Sequence, residues 1–351
     1  MGHLLLEVFI IYLILSLALT VFMMARMYWV DHKATDKKLG KARVQELKRA
    51  GRWRQLPLYT MEEIAANKKL GEVRLTIFPN DSGKRGKYAI VLPGGGYAHV
   101  ITDAEGYSVA AKLNEDGVTA FVLEYRTGFS CSDHAPMRDL ARCVRFITEH
   151  ADQLNIDPTG YSLIGFSAGG NLAGIYGTRK YGWHLYGTEK PGTLILGYPW
   201  SNINHWMQHP YWNIWEGLIG IWFQERGNFF MFRTHQGREK RDSLCVQKWI
   251  DDDYPPVYMF TGDDDILVKA GAHTDVLAKA LRRKDIPLMY QRFFQVPHGV
   301  GLGKGTNAEG WLEEALDFWK KQVGEDDLQE EHKAEDHLVE DSKAEDSKTE
   351  E

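Results

Sequence analysis

The stretch Tyr161-Ser162-Leu163-Ile164-Gly165-Phe166-Ser167-Ala168-Gly169-Gly170 constrains the fold of this chain more than any other. Tyr161 to Ile164 is a short apolar run that reads as a buried strand, and a helix follows from Asn171. The chain must therefore turn sharply between the two, with Ser167 at the tip. Gly165 and Gly169 flank that serine at equal spacing. A serine held in a strained turn projects its hydroxyl upward. A β-carbon two residues to either side would then collide with the neighbouring strand or helix. The pattern Gly-x-Ser-x-Gly also occurs as an ordinary turn, so its meaning depends on what surrounds it.

What surrounds it is an alternation. From Val73 onward, short apolar runs (Val73-Phe78, Tyr88-Leu92, Thr119-Leu123, Tyr161-Ile164, Thr193-Leu196, Val257-Phe260, Leu288-Phe293) alternate with amphipathic stretches such as Pro136-His150 and Ala270-Lys284. The pattern predicts an α/β fold with a mostly parallel sheet and helices on both faces, with chemistry at the carboxyl ends of the strands. A chain of 351 residues can bury one such core and carry extensions besides. The three cysteines, Cys131, Cys143 and Cys245, have no metal-ligand spacing and leave one over. That argues against a disulfide framework and mildly for a reducing compartment. With no Cys/His cluster, P-loop or dinucleotide fingerprint, no cofactor, metal or nucleic-acid partner is expected.

The two ends differ from the middle. Leu4 to Ala25 is almost pure hydrocarbon, broken by Glu7, Ser16 and Thr20, and is long enough to cross a bilayer as a helix. No Lys or Arg precedes it and no clear small-x-small cleavage site follows, so residues 1–26 read as a retained single-pass anchor. A signal peptide with export is the alternative. Basic residues follow the run: Arg26, Lys33, Lys37, Lys38, Lys41, Arg43, Lys48, Arg49, Arg52 and Arg54. The positive-inside rule then puts the rest of the chain on the cytoplasmic side, with residues 27–70 as a basic segment near anionic headgroups. At the other end, Glu325 to Glu351 holds 3 Lys and 13 Asp/Glu, a net of −10, so the remainder carries +4 of the overall −6. Residues 324–351 are expected to be a disordered acidic tail. The core domain is expected over 71–323.

Within that domain, residues about 201–250 interrupt the alternation with Trp206, Tyr211, Trp212, Trp215, Trp222, Phe223, Phe229, Phe230 and Phe232. Lying between two core strands, this segment reads as a cap. Most of its aromatics are accounted for by cap packing, with a substrate pocket or a membrane contact as the functional reading.

A serine hydroxyl is a poor nucleophile until a base takes its proton and a third group orients that base. After a strand-serine-helix turn the partners come in the order acid, then histidine. His298, in Val296-Pro297-His298-Gly299-Val300-Gly301, follows the last predicted strand in a glycine-rich loop. His205, His209 and His235 fall in the cap segment, His273 on a helix, and His332 and His337 in the tail. The strand Val257-Phe260 runs into Thr261-Gly262-Asp263-Asp264-Asp265-Ile266-Leu267-Val268, with three adjacent carboxylates. The spacing Gly-x-x-Asp-x-x-Val selects Asp265, with Asp264 next, and the unused carboxylates are expected in solvent. Acyl transfer also needs backbone N–H groups where negative charge develops. Gly94-Gly95-Gly96 follows the strand Tyr88-Leu92, and Gly95, Gly96 and Ala168 are the candidate oxyanion donors.

Pro93-Gly94-Gly95-Gly96-Tyr97, Gly165-Phe166-Ser167-Ala168-Gly169-Gly170, the Asp265 loop and His298-Gly299 together resemble the α/β-hydrolase esterases. The likeness is to the hormone-sensitive-lipase-like and bacterial acetylxylan-esterase-like branch. Ile156-Asp157-Pro158 and Pro136-Met137-Arg138-Asp139 are similar to that branch as well. The resemblance covers about Val73 to Gln322. It implies metal-free hydrolysis of carboxylic esters through an acyl-serine, with Ser167, Asp265 and His298 as the triad. Pro93 stands where the lipase-like members carry His; the acetylxylan-esterase-like ones also use Pro. The expected function is a serine carboxylesterase for short-chain or acetyl esters, possibly of carbohydrates. Beside it stand a lipase or lysophospholipase-like esterase and a non-catalytic scaffold acting through the acidic tail.

Overall fold

Each apolar run read from the sequence is a strand of one sheet in the computed structural model, which describes residues 2–204, 213–215, 217–219, 221–222, 231 and 238–324. The strands are β1 (Arg54–Pro57), β2 (Arg74–Phe78), β3 (Tyr88–Leu92), β4 (Thr119–Glu124), β5 (Ser162–Phe166), β6 (Thr193–Gly197), β7 (Val257–Gly262) and β8 (Leu288–Phe293). Their order is β1-β2-β4-β3-β5-β6-β7-β8. β1 with β2 and β2 with β4 pair antiparallel, and all other neighbours are parallel. β3, β5, β6 and β7 are buried at every residue. Strands covered on both faces need apolar side chains on both, so they read as continuous runs. Two hydrophobic clusters flank the sheet, one including Leu163, Leu172 and Met259, the other Ile164, Phe260 and Trp311.

β1 has no such signature. Arg54-Gln55-Leu56-Pro57 is an edge strand, mostly exposed, and its proline sits where no ladder donor is needed. It lies inside the basic segment 27–70, so the sheet starts earlier than the sequence pattern marks. The same segment carries helix α2 (Lys37–Arg49), which buries Gly40, Arg43 and Leu47. Arg43 donates to Asn114 at 3.0 Å and pairs with Asp81 at 2.9 Å, and Arg52 pairs with the same carboxylate. These two cations thus face protein carboxylates.

Helix α1 (Gly2–Ala34) precedes α2. Among the described residues it belongs to the one helix long and apolar enough to cross a membrane, and only 11% of its apolar window is buried by protein. Part of the cap segment lies along it: Asn213 Nδ2 donates to Thr20 Oγ1 at 3.1 Å, and Trp215 Nε1 donates to the Leu13 carbonyl at 3.0 Å. Trp206, Tyr211, Trp212, Phe223, Phe229, Phe230, Phe232, the histidines 205, 209 and 235, and the acidic tail beyond Gly324 lie outside the described residues.

Candidate active site

The turn after β5 puts Ser167 at φ 51°, ψ −113°, a backbone conformation that side chains other than glycine rarely adopt. It is held there from both sides. The Ser167 N–H donates to the Gly197 carbonyl at 3.0 Å, and its own carbonyl accepts from Asn171 and Trp200, each at 3.0 Å. A β-carbon on Gly165 would overlap the Gly169 carbonyl, and one on Gly169 would overlap the Leu92 carbonyl at the end of β3. The steric expectation for both glycines therefore has named collision partners.

His298 meets both of its expected neighbours. Its Nε2 is 3.0 Å from Ser167 Oγ and its Nδ1 is 2.6 Å from Asp265 Oδ2. A carboxylate only accepts, so Nδ1 carries the proton and Nε2 is left to accept from the serine hydroxyl. Burial of the ring is the largest influence and opposes its protonation, but the carboxylates around it, Asp265 foremost with Glu105 and Asp31, together hold the imidazole pKa above its ordinary value. Asp265 is almost completely buried, and its second oxygen accepts from the N–H groups of Leu267 (2.9 Å) and Val268 (2.7 Å). The other two carboxylates of the loop reach solvent, as expected, and each also pairs with an arginine. Asp263 pairs with Arg292 and Asp264 with Arg26 of α1. His273 has a different setting: it is buried, and its Nδ1 faces the Asn202 N–H at 3.2 Å.

Gly95 and Gly96 have φ of 124° and 61°, and a β-carbon on Gly95 would overlap the His99 carbonyl. Among the described residues no protein acceptor takes the N–H of Gly95, Gly96 or Ala168. The loop is braced from several directions. Tyr125 donates to the Pro93 carbonyl at 2.6 Å, and Tyr97 donates to Asn171 at 2.8 Å.

One bracing group has no sequence signature. Glu105, fully buried, accepts from the Gly94 N–H at 2.7 Å and from the Tyr198 hydroxyl at 2.7 Å. Tyr198 in turn accepts from Gly301 N–H at 3.0 Å and stacks edgewise on His298 with ring centroids 4.8 Å apart. One carboxylate therefore ties the glycine loop to the histidine loop. Burial pushes its pKa up, and the bonds from Tyr198 and Gly94 pull it part of the way back. A glutamate between Ala104 and Gly106 looks like surface in the sequence.

These groups meet in a cavity of about 210 Å³ lined by Ser167, His298, Gly95, Gly96 and Glu105, and also by Met27 and Tyr28 of α1. The sheet and helices that carry this site match a known structure as a whole. The acetyl ester-xyloside bifunctional hydrolase of Caldicellulosiruptor lactoaceticus superposes with a TM-score of 0.62 at 25% identity, over 77% of this chain and 96% of that one. The chain has the α/β-hydrolase fold. Residues 76–193 match the BD-FAE family. By sequence the chain is 25% identical over 238 residues to an acetylxylan esterase of Xylanibacter ruminicola, covering 68% of this chain and 46% of that protein. It is 28% identical over 245 residues to endo-1,4-beta-xylanase B of Butyrivibrio fibrisolvens, covering 66% of this chain and 35% of the relative. The chain thus spans less than half the length of these two curated relatives. A carboxylesterase of Lactobacillus plantarum shares the fold, with a TM-score of 0.58 at 18% identity.

Proposed function

We propose that the chain is a serine carboxylesterase that hydrolyses acetyl or other short-chain esters, carbohydrate esters among them. Ser167 Oγ attacks the ester carbonyl as His298 Nε2 takes its proton. Asp265 stabilises the imidazolium, and the N–H groups of Gly95, Gly96 and Ala168 take the oxyanion. His298 then protonates the leaving alcohol, and water releases the acyl group by the reverse sequence. The observation that carries this reading is the unbroken chain Asp265–His298–Ser167, at 2.6 and 3.0 Å, on the wall of a small cavity. The named activities of the acetylxylan esterase and of the acetyl ester-xyloside hydrolase favour acetyl esters of sugars as the substrate class. The test is p-nitrophenyl acetate hydrolysis by the full chain against Ser167→Ala, with fluorophosphonate labelling as a second readout. Equal rates in the two proteins would sink the reading. The full chain is required because Met27 and Tyr28 line the cavity; a piece starting near Lys41 lacks that wall.

We also infer that residues 1–26 are a retained anchor, with the hydrolase on the cytoplasmic side under the positive-inside rule. Cleavage behind Ala25 would free the Arg26–Asp264 pair at its chain end and loosen the cavity wall, which favours retention.

The acid side of the pH profile is expected to report His298. Protonated imidazole cannot accept the Ser167 proton, so kcat/KM falls as pH drops through the His298 pKa. Because Asp265 raises that pKa, the midpoint should lie above the ordinary histidine value of about 6.5. A midpoint well below it in the free enzyme would contradict the described ion-pair geometry.

Glu105→Gln is expected to lower kcat by about ten- to a hundredfold, on a cost of about 1–3 kcal/mol for a mispaired buried donor. The carboxylate accepts at both oxygens, from Gly94 and Tyr198. An amide has one acceptor only, so its NH₂ would face one of those two donors. Glu105 acts through the loops it joins, and the pH midpoint should move along with kcat because Glu105 also favours the charged His298. Lost stability with kcat and midpoint both unchanged would mark it as purely structural.

A further inference from the structure

One wall of the cavity comes from outside the sheet and its helices. Met27, Tyr28 and Asp31, on the turn of α1 that follows the apolar run Leu4–Ala25, line it together with Ser167 and His298. That turn is fastened to the triad loops. Arg26 pairs with Asp264, next to Asp265, and donates to the Gln295 carbonyl at 2.8 Å, three residues before His298. Further along, Asn213 and Trp215 bind α1 at Thr20 and Leu13.

The same helix is built for lipid. Leu4 to Ala25 would extend roughly 33 Å at 1.5 Å per residue, against a hydrocarbon layer of about 30 Å. Its apolar residues are uncovered by protein: Leu15 is 64% exposed and Phe22 62%. An uncovered apolar surface of that length requires an apolar phase. Just past the run, Tyr28 and Trp29 are exposed, and the Lys33 ammonium lies 4.1 Å over the Trp29 ring. Aromatic rings followed by basic groups are the pattern found at the boundary between hydrocarbon and headgroups. In the cap segment, Leu218 and Trp222 add exposed apolar side chains. The turn that marks the membrane boundary and the turn that walls the cavity are therefore one and the same.

We propose that the cavity takes its ester from the bilayer: the substrate is a short acyl ester, acetyl above all, of an amphiphilic alcohol held in lipid, entering past Met27 and Tyr28. This rests on the esterase reading above and names its alcohol. The acyl carbon–oxygen bond of the ester breaks, the acyl group passes to Ser167 Oγ, and the alcohol takes the proton from His298 and stays in the lipid. Water then takes the acyl group and the short acid leaves in the aqueous phase. A cavity of about 210 Å³ at the headgroup level suits a small acyl group with the large alcohol remaining outside.

The experiment reconstitutes the full chain in phosphatidylcholine vesicles and follows two esters. One is soluble p-nitrophenyl acetate; the other is 1,2-dipalmitoyl-3-acetylglycerol in the same bilayer, read by acetate release. Both are expected to be hydrolysed. Met27→Asp, which puts a charge on the lipid path, should lower the ratio of vesicle-borne to soluble activity by about tenfold or more. Tyr28→Ala is the second variant, read by the same ratio, should Met27→Asp lose both activities through misfolding. An unchanged ratio in the folded variant overturns the proposal. Hydrolysis of the soluble ester alone by the unaltered chain overturns the bilayer route and leaves the esterase reading standing, whereas hydrolysis of neither removes both. A chain that self-associates and fails to float with vesicles also overturns it, since another copy then covers the apolar helix.

Discussion

Ser167→Ala is expected to lower kcat for p-nitrophenyl acetate by about ten thousand- to a millionfold, leaving only what the oxyanion donors and binding supply. The loss is that large because, in the proposed mechanism, the hydroxyl is the one group that forms the acyl-enzyme bond. His298→Ala should cost nearly as much, and the double variant little more than either alone. Groups that act as one relay have nothing further to lose once the relay is cut. Folding should be largely spared in Ser167→Ala. The bonds that hold this turn, to Gly197, Asn171 and Trp200, are all made by the backbone. The measurement is steady-state kinetics beside thermal unfolding and mass-detected fluorophosphonate labelling. Additive losses in the double variant would mean that the two residues act separately.

Asp265→Asn is expected to lower kcat by about a thousand- to ten-thousandfold, through the wrong tautomer rather than a missing contact. Oδ1 of Asp265 accepts from Leu267 and Val268. An asparagine would keep its single acceptor oxygen on those two N–H groups and turn its NH₂ toward His298 Nδ1. The ring would then carry its proton on Nε2, where it cannot take one from Ser167. With the carboxylate gone, the largest group opposing burial is lost and only the more distant Glu105 and Asp31 still favour the charged ring, so the acid limb of the pH profile should move to lower pH. Asp264→Asn is the control. It breaks a partly buried pair with Arg26 but touches neither His298 nor Ser167, and kcat should stay within about twofold. If Asp264→Asn proved as damaging as Asp265→Asn, the assignment of the acid would fail.

The three adjacent carboxylates illustrate where sequence reading stops. Asp263, Asp264 and Asp265 are chemically identical and locally equivalent. They are separated only by distant partners: Arg292 on β8, Arg26 on α1 and His298 after β8. The loop spacing pointed to Asp265, and the geometry brings that residue to His298. Asp263 is exposed and Asp264 partly so, and each also has an arginine partner that the spacing does not mark. Glu105 is the opposite case. A glutamate is ordinarily a surface residue, and its burial depends on Gly94 and Tyr198, the latter 93 residues away in the chain. β1 was hidden for a related reason, since an edge strand needs no apolar pattern and takes its conformation from pairing with β2.

The sequence by itself determined the central strands, the serine turn and the apolar length of α1. Each follows from a local necessity: side chains buried on both faces of a strand must be apolar, a glycine is needed where a β-carbon would strike a backbone carbonyl, and a helix able to cross a bilayer must be long and nearly uncharged. Only the tertiary structure decided which arginines hold Asp263 and Asp264, that Glu105 joins two loops, and that the turn after the apolar run of α1 walls the cavity beside Ser167. Those outcomes depend on approach between segments far apart in the chain, for which no local spacing carries a signature.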